Sequence, residues 1–327
     1  MLVSVSYPSV LGDEAPATNA GELEVNGWEL TGDWNSTVGN LQYNIGFVVN
    51  YNENKLTDLQ GQDTYNLGLT RYREGYPMNS YFGYKGSVIR TQSELDEYAA
   101  KYAGKGIVPG VQENGHKGLG VGDVMYEDID GDGQITAYGD KTQGYSGDAV
   151  FLGSQDPKYT YSITSGLKYK NLDFGMILQG TGDKYTWRGN GNFGVPLSHF
   201  WFQPLDYFYG KTFSQENTGA KYPRLSNDGT VKSNNYQASS IYVENTRYLR
   251  LKNITVGYTI TDGFINKLSI SSLRVYISGQ DIFEFAKGTW DNTYDPEENT
   301  NNPDKPYFYE NNYPMYRTYS FGINVNF

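Results

Sequence analysis

The chain has 327 residues, no cysteine, two histidines and a formal net charge of −11. The absence of cysteine excludes disulfides, thiolate metal sites and cysteine nucleophiles. The acidic balance argues against a nucleic-acid partner, because phosphate binding needs a basic surface.

Hydrophobic residues make up 38% of the chain and the mean hydropathy is −0.62. No apolar run approaches the roughly 20 residues that a transmembrane helix needs. A membrane β-barrel stays open, because a barrel strand hides its lipid face in alternate positions. Aromatics reach 16%, with 31 Tyr; Tyr and Trp favour places with one apolar and one wet end, such as interface girdles and sugar-stacking surfaces. His116 and His199 lie far apart without neighbouring acid or serine motifs and read as surface loop residues.

Met1 to Ser4 shows no basic n-region, apolar h-region or small-residue cleavage site, so a chain bound for the outer membrane is expected to be part of a longer protein. Glu22 to Trp34 reads as a strand. Asn40 to Tyr51 follows, with Leu41, Tyr43, Ile45, Phe47, Val49 and Tyr51 on one face and polar residues on the other, broken only by Val48. A strand of roughly 10 residues crosses a bilayer when tilted. From Asn52 to Asp156 no clean strand pair stands out. Within it, Ser93-Glu94-Leu95-Asp96 reads as a capping box opening a short helix with Leu95, Tyr98, Ala99 and Tyr102 on one face, stopped by Gly104.

Lys158 to Tyr169 and Leu172 to Gln179 read as a hairpin around Lys170-Asn171, apolar on one face and polar on the other, with Ile177 the exception. Thr181 to Glu244 is a long, polar, aromatic-rich connection. Asn253 to Ile260 alternates again, out of phase with Leu249 and Leu251, which predicts a bulge near Arg250 or Lys252. Leu273, Val275 and Ile277 form another stripe. After a loop from Phe285 to Pro314, Tyr319, Phe321, Ile323, Val325 and Phe327 share a face of the last strand. Such alternation also fits a half-buried soluble sandwich. Tight turns at one end and long loops at the other are the outer-membrane pattern, whereas compact soluble domains seldom carry structureless loops of this length.

One motif carries metal chemistry. Asp128-Ile129-Asp130-Gly131-Asp132-Gly133-Gln134-Ile135 matches the start of an EF-hand-type calcium loop. Asp128, Asp130 and Asp132 would offer carboxylates, Gln134 its backbone carbonyl, and Gly133 the sharp turn. Packed carboxylates repel one another unless a cation sits among them. Gly139 stands where a closing Glu is expected, so Asp140 or Asp148 would close the site; the alternative is a solvated acidic turn. Trp187, Trp201, Tyr207 and Tyr209 lie in the second long connection as candidate substrate or partner contacts, or as a small loop core.

The stretches NAGELEVNGWEL (19–30), GDVMYEDIDGDGQIT (122–136), GDAVFLGSQDPKYTYSITSGLKYKNLDFGMILQGTG (147–182), YLRLKNITVGYTI (248–260), LRVYISGQDIF (273–283), DPEEN (295–299) and YPMYRTYSFGINVNF (313–327) together resemble the C-terminal part of SusC/RagA-type TonB-dependent outer-membrane transporters. The resemblance implies an all-β antiparallel transmembrane barrel with long extracellular loops, of which residues 1–327 would be the C-terminal segment. The family's plug, TonB-binding segment and signal peptide would lie upstream. It further implies a place in the cell outer membrane, a SusD-like surface lipoprotein as lid, the TonB complex as energy source, and import of glycan or peptide fragments without catalysis. Roughly eight strands of about ten residues each are too few for that family's barrel. The competing reading is a secreted, calcium-stabilised β-protein that binds carbohydrate through exposed aromatics.

Overall fold

The structure, a computed structural model, describes residues 2–4, 17–19, 21–59, 67–70, 72–112, 117–140, 142–188, 195–197, 206–286, 295–297 and 315–327. Seven antiparallel strands form one wall: β1 (Glu22–Val38), β2 (Leu41–Asp58), β3 (Tyr159–Tyr169), β4 (Leu172–Thr181), β5 (Tyr248–Ile260), β6 (Ser272–Ala286) and β7 (Thr318–Asn326). Each pairs with its neighbours in chain order, so the wall is an up-and-down meander. The wall holds seven strands where about eight were expected, and β1 runs past Trp34 to Val38.

Two-residue turns join β1 to β2 and β3 to β4. Gly39 and Lys170 open them with φ of 60° and 52°, the positive φ that suits a tight hairpin to the strands' twist. At the other end the chain makes its long excursions. The phase break at Leu251 resolves as expected: the ladder steps from Leu251 opposite Phe283 to Asn253 opposite Gln280. Lys252 is thereby extra on β5, while Asp281 and Ile282 are extra on β6, with Asp281 at φ 51°.

Register turns the period-two pattern into two chemically distinct faces. One continuous row reads Ser36, Tyr43, Leu167, Phe174, Val256, Ile277, Phe321; the next reads Val38, Leu41, Tyr169, Leu172, Tyr258, Val275, Ile323. On the opposite face the row between them is Thr37, Gln42, Lys168, Asp173, Gly257, Tyr276, Gly322. The apolar face is bare: Phe47, Ile163, Leu172 and Phe321 are all exposed. Among the described residues no second large sheet covers it, the others having two or three strands each. Tyr159 and Tyr169 bound the apolar stripe on β3, ten positions apart. At about 3.4 Å per residue and a tilt of roughly 40°, they stand about 25 Å apart along the normal, the height of an outer-membrane apolar band.

The polar face is held by side chains that reach across strands. Arg274 of β6 passes over Gly257 of β5 to chelate Asp173 of β4, at 2.9 and 2.5 Å. A Cβ at Gly257 would lie 2.5–2.7 Å from both partners, so this crossing requires glycine.

Beyond the long-loop end of the wall, the excursions fold into a body with its own core. Tyr84, Ile89, Leu119, Tyr126, Ile135 and Tyr242 are buried together there. Short strands that the aromatic, irregular sequence did not reveal stitch it: Ser80–Tyr84 with Ala149–Ser154, Gly86–Val88 with Val124–Tyr126, and Tyr185–Trp187 with Val243–Asn245. Helix α1 (Gln92–Tyr102) is capped two residues earlier than Ser93 suggested, at Thr91. Thr91 Oγ1 accepts from Glu94 N at 3.2 Å, and the Glu94 carboxylate accepts from Arg90 N, one residue before the cap, at 2.6 Å.

Candidate functional site

The acidic loop lies in this body. Asp128, Asp130 and Asp148 each bring a carboxylate oxygen within 4.8 Å of the others. Gly131 and Gly133 take positive φ, 76° and 77°, which curls the chain so that Gly131 N and Gly133 N donate to Asp128 at 2.7 and 3.0 Å. Asp148 arrives from the far side of the loop, fully buried, accepting from Ile129 N and Thr136 N at 2.7 and 2.8 Å. Burial pushes its carboxyl up, although those two amides pull the other way. Ile135 is buried beneath, and its carbonyl accepts from Ile107 N just beyond α1.

Asp132 and Asp140 are not part of that group. Asp132 accepts from Gln134 N at 2.7 Å, and Asp140 is engaged by Thr142 and Gln143. Of the two closing carboxylates proposed by spacing, the fold brings in Asp148. An all-oxygen donor set with a buried carboxylate fits a hard divalent cation.

The aromatic candidates separate. Trp187 packs against the body's core. Tyr207 is buried, its hydroxyl shared with Tyr222 at 2.8 Å and with Glu244 at 3.2 Å. Tyr209 is 91% exposed. Trp201, His116 and His199 lie outside the described residues. Around Glu244 the body holds an ion cluster that sequence reading missed. Arg188 donates Nε to it at 3.0 Å, both side chains being almost fully buried, and Lys221 pairs with its other oxygen. These partners stand 56 and 23 positions from Glu244, so no local motif announces them.

A second ion network sits where wall and body meet. Arg250 pairs with Glu284, Asp295 and Glu297, and Lys252 with Asp281 and Glu297. It fixes Asp295–Glu297 of the β6–β7 connection to the polar face. The bulge that doubles the chain at Lys252 and Asp281 is what brings this pair into reach.

No family model matches the chain. It is similar to TonB-dependent receptor P3 of Formosa agariphila, 26% identical over 345 residues that cover 98% of this chain and 30% of that protein. TonB-dependent receptor P26 of the same organism is also 26% identical, across 100% of this chain and 31% of that one. The chain is similar to TonB-dependent receptors along its whole length. Its fold agrees with the RagAB peptide transporter, at a TM-score of 0.65 and 19% identity over 99% of this chain and 32% of that one. It matches the closed-closed RagAB peptide importer equally well, at 0.65. The chain therefore spans about a third of the length of the receptors it matches. The bare apolar face of the wall is the kind of surface that an outer-membrane β-barrel turns to lipid.

Proposed function

We propose that the seven strands are one arc, the C-terminal part, of a TonB-dependent importer barrel that takes up glycan or peptide fragments across the outer membrane. The observation that carries this reading is the two-faced meander with a bare apolar side, β1 and β7 each having one neighbour among the described strands. Such a wall needs lipid outside and further strands at its edges. A SusD-like surface lipoprotein would cap the loop body. The plug and the segment touching the TonB complex would belong to the rest of the protein. The peptide transport named for RagAB supports a peptide cargo, whereas the polar and aromatic richness of the chain supports a glycan.

Disrupting either this gene or the TonB complex should abolish uptake of the same oligosaccharide or peptide by intact cells. Uptake that survives both disruptions would overturn the reading. The acidic loop is proposed as a structural calcium site held by Asp128, Asp130 and Asp148, clasping the segment after α1 to the strand at Ala149–Ser154.

A further inference from the structure

Where the loop body overhangs the outer ends of β1, β2 and β3 it encloses a cavity of about 850 Å³. Register sets Glu29, Asn50 and Thr160 side by side on the polar face, and Asp156 joins them from the overhang. The roof is tied down by Met78 N on Asn54 Oδ1 at 2.8 Å and Asn79 Nδ2 on Asp156 Oδ2 at 3.1 Å. Asn50 donates to Thr160 Oγ1 at 3.3 Å, yet its own Oδ1 is buried without a partner. A buried carbonyl left in that state is costly unless a ligand or water donates to it. The cavity carries Glu29, Glu53 and Asp156 against a single Lys158, and that lysine is already paired with Glu53.

We infer that this cavity binds a neutral, hydroxyl-rich segment of an oligosaccharide. A sugar hydroxyl both donates and accepts, so it can satisfy Asn50 Oδ1 and Glu29 while accepting from the carboxamides of Asn52 and Asn54, which also line the cavity. The acidic excess opposes uronic-acid or sulfated sugars by like-charge repulsion. The volume falls within the range of small-ligand sites. The inference depends on the importer reading only for the route by which a sugar reaches the barrel mouth.

The test titrates the full chain in detergent with short malto-, xylo- and fructo-oligosaccharides, with oligogalacturonates and with a lysine-rich peptide. Binding is read by calorimetry and by the fluorescence of Trp28, which lines the cavity beside Tyr51. At least one neutral sugar should bind, and Asn50→Leu should weaken it about ten-fold with an unchanged circular dichroism spectrum. Glu29→Gln, which removes one negative charge from the lining, should admit the oligogalacturonate. Oligogalacturonate or peptide binding to the wild type that depends on Asn50 would overturn the proposal. So would the absence of any Asn50-sensitive neutral sugar. If TonB-dependent uptake persists in that case, the importer reading stands and the cavity assignment alone falls.

Discussion

Glu244 shows how one side chain can hold several loops together. Burial alone would push its carboxyl up, but Arg188 and Lys221 beside it more than offset this and hold it below the usual carboxylate range. The folded value therefore lies below that of the unfolded chain, and the unfolded chain takes up the proton first. The stability contributed is complete above about pH 4.3, the ordinary glutamate value, and is lost as pH falls through the folded value. Glu244→Ala, which strands the Arg188 guanidinium in the core, should cost about 3–5 kcal/mol. Urea unfolding followed by tryptophan fluorescence should show that loss at pH 7 and a much smaller one at pH 3. The acidic loop offers a second test. Saturating calcium, at about a hundred times its dissociation constant, should stabilise the folded body by about 2.7 kcal/mol and protect it from protease; Asp130→Ala should abolish both effects. Equal protease sensitivity of wild type and variant, with and without chelator, would eliminate the calcium site. Sequence spacing found Asp128 and Asp130 because their motif is contiguous. It left Asp140 and Asp148 as equals, since only the fold tells which returns to the loop, and Glu244 had no signature at all.

At the scale of strands the reverse holds. The alternation of Lys158 to Tyr169 and of Leu172 to Gln179 survives intact in the β3–β4 hairpin, because a strand with one face in each medium writes its period directly into the sequence. The slip at Lys252 was visible for the same reason, as a phase error between Leu251 and Ile254. What stayed hidden was structure without a period: the short strands and the aromatic core of the loop body, whose residues meet only through long-range contacts. The two faces make a sharp prediction. Ile163 stands near the middle of the apolar stripe and points out, whereas Thr164 beside it points in, opposite Gly46. Ile163→Lys should destabilise the strand in lipid by about 2–4 kcal/mol, and Thr164→Lys by no more than about 0.5 kcal/mol. Folding titrations into lipid vesicles would measure both, and equal costs would remove the distinction between the faces.

For the molecule as a whole, each end of the sheet presents a strand with an open hydrogen-bonding edge among the described residues, β1 on one side and β7 on the other. Edges of this kind pair with whatever strand is offered. The 327-residue chain in detergent should therefore sediment above monomer mass; a stable monomer would show that its edges are satisfied internally. The chain's connections also have an evolutionary reading. Two residues separate β1 from β2, yet about a hundred lie between β2 and β3. Closing a flexible loop becomes costlier only with the logarithm of its length, about 0.6 kcal/mol for each doubling. The wall therefore feels little difference between a short outer loop and a long one. With its core separate from the wall, the loop body can be enlarged, trimmed or exchanged while the strands keep their register. On the importer reading, a lineage could change what it takes from its surroundings without rebuilding the strands of the wall.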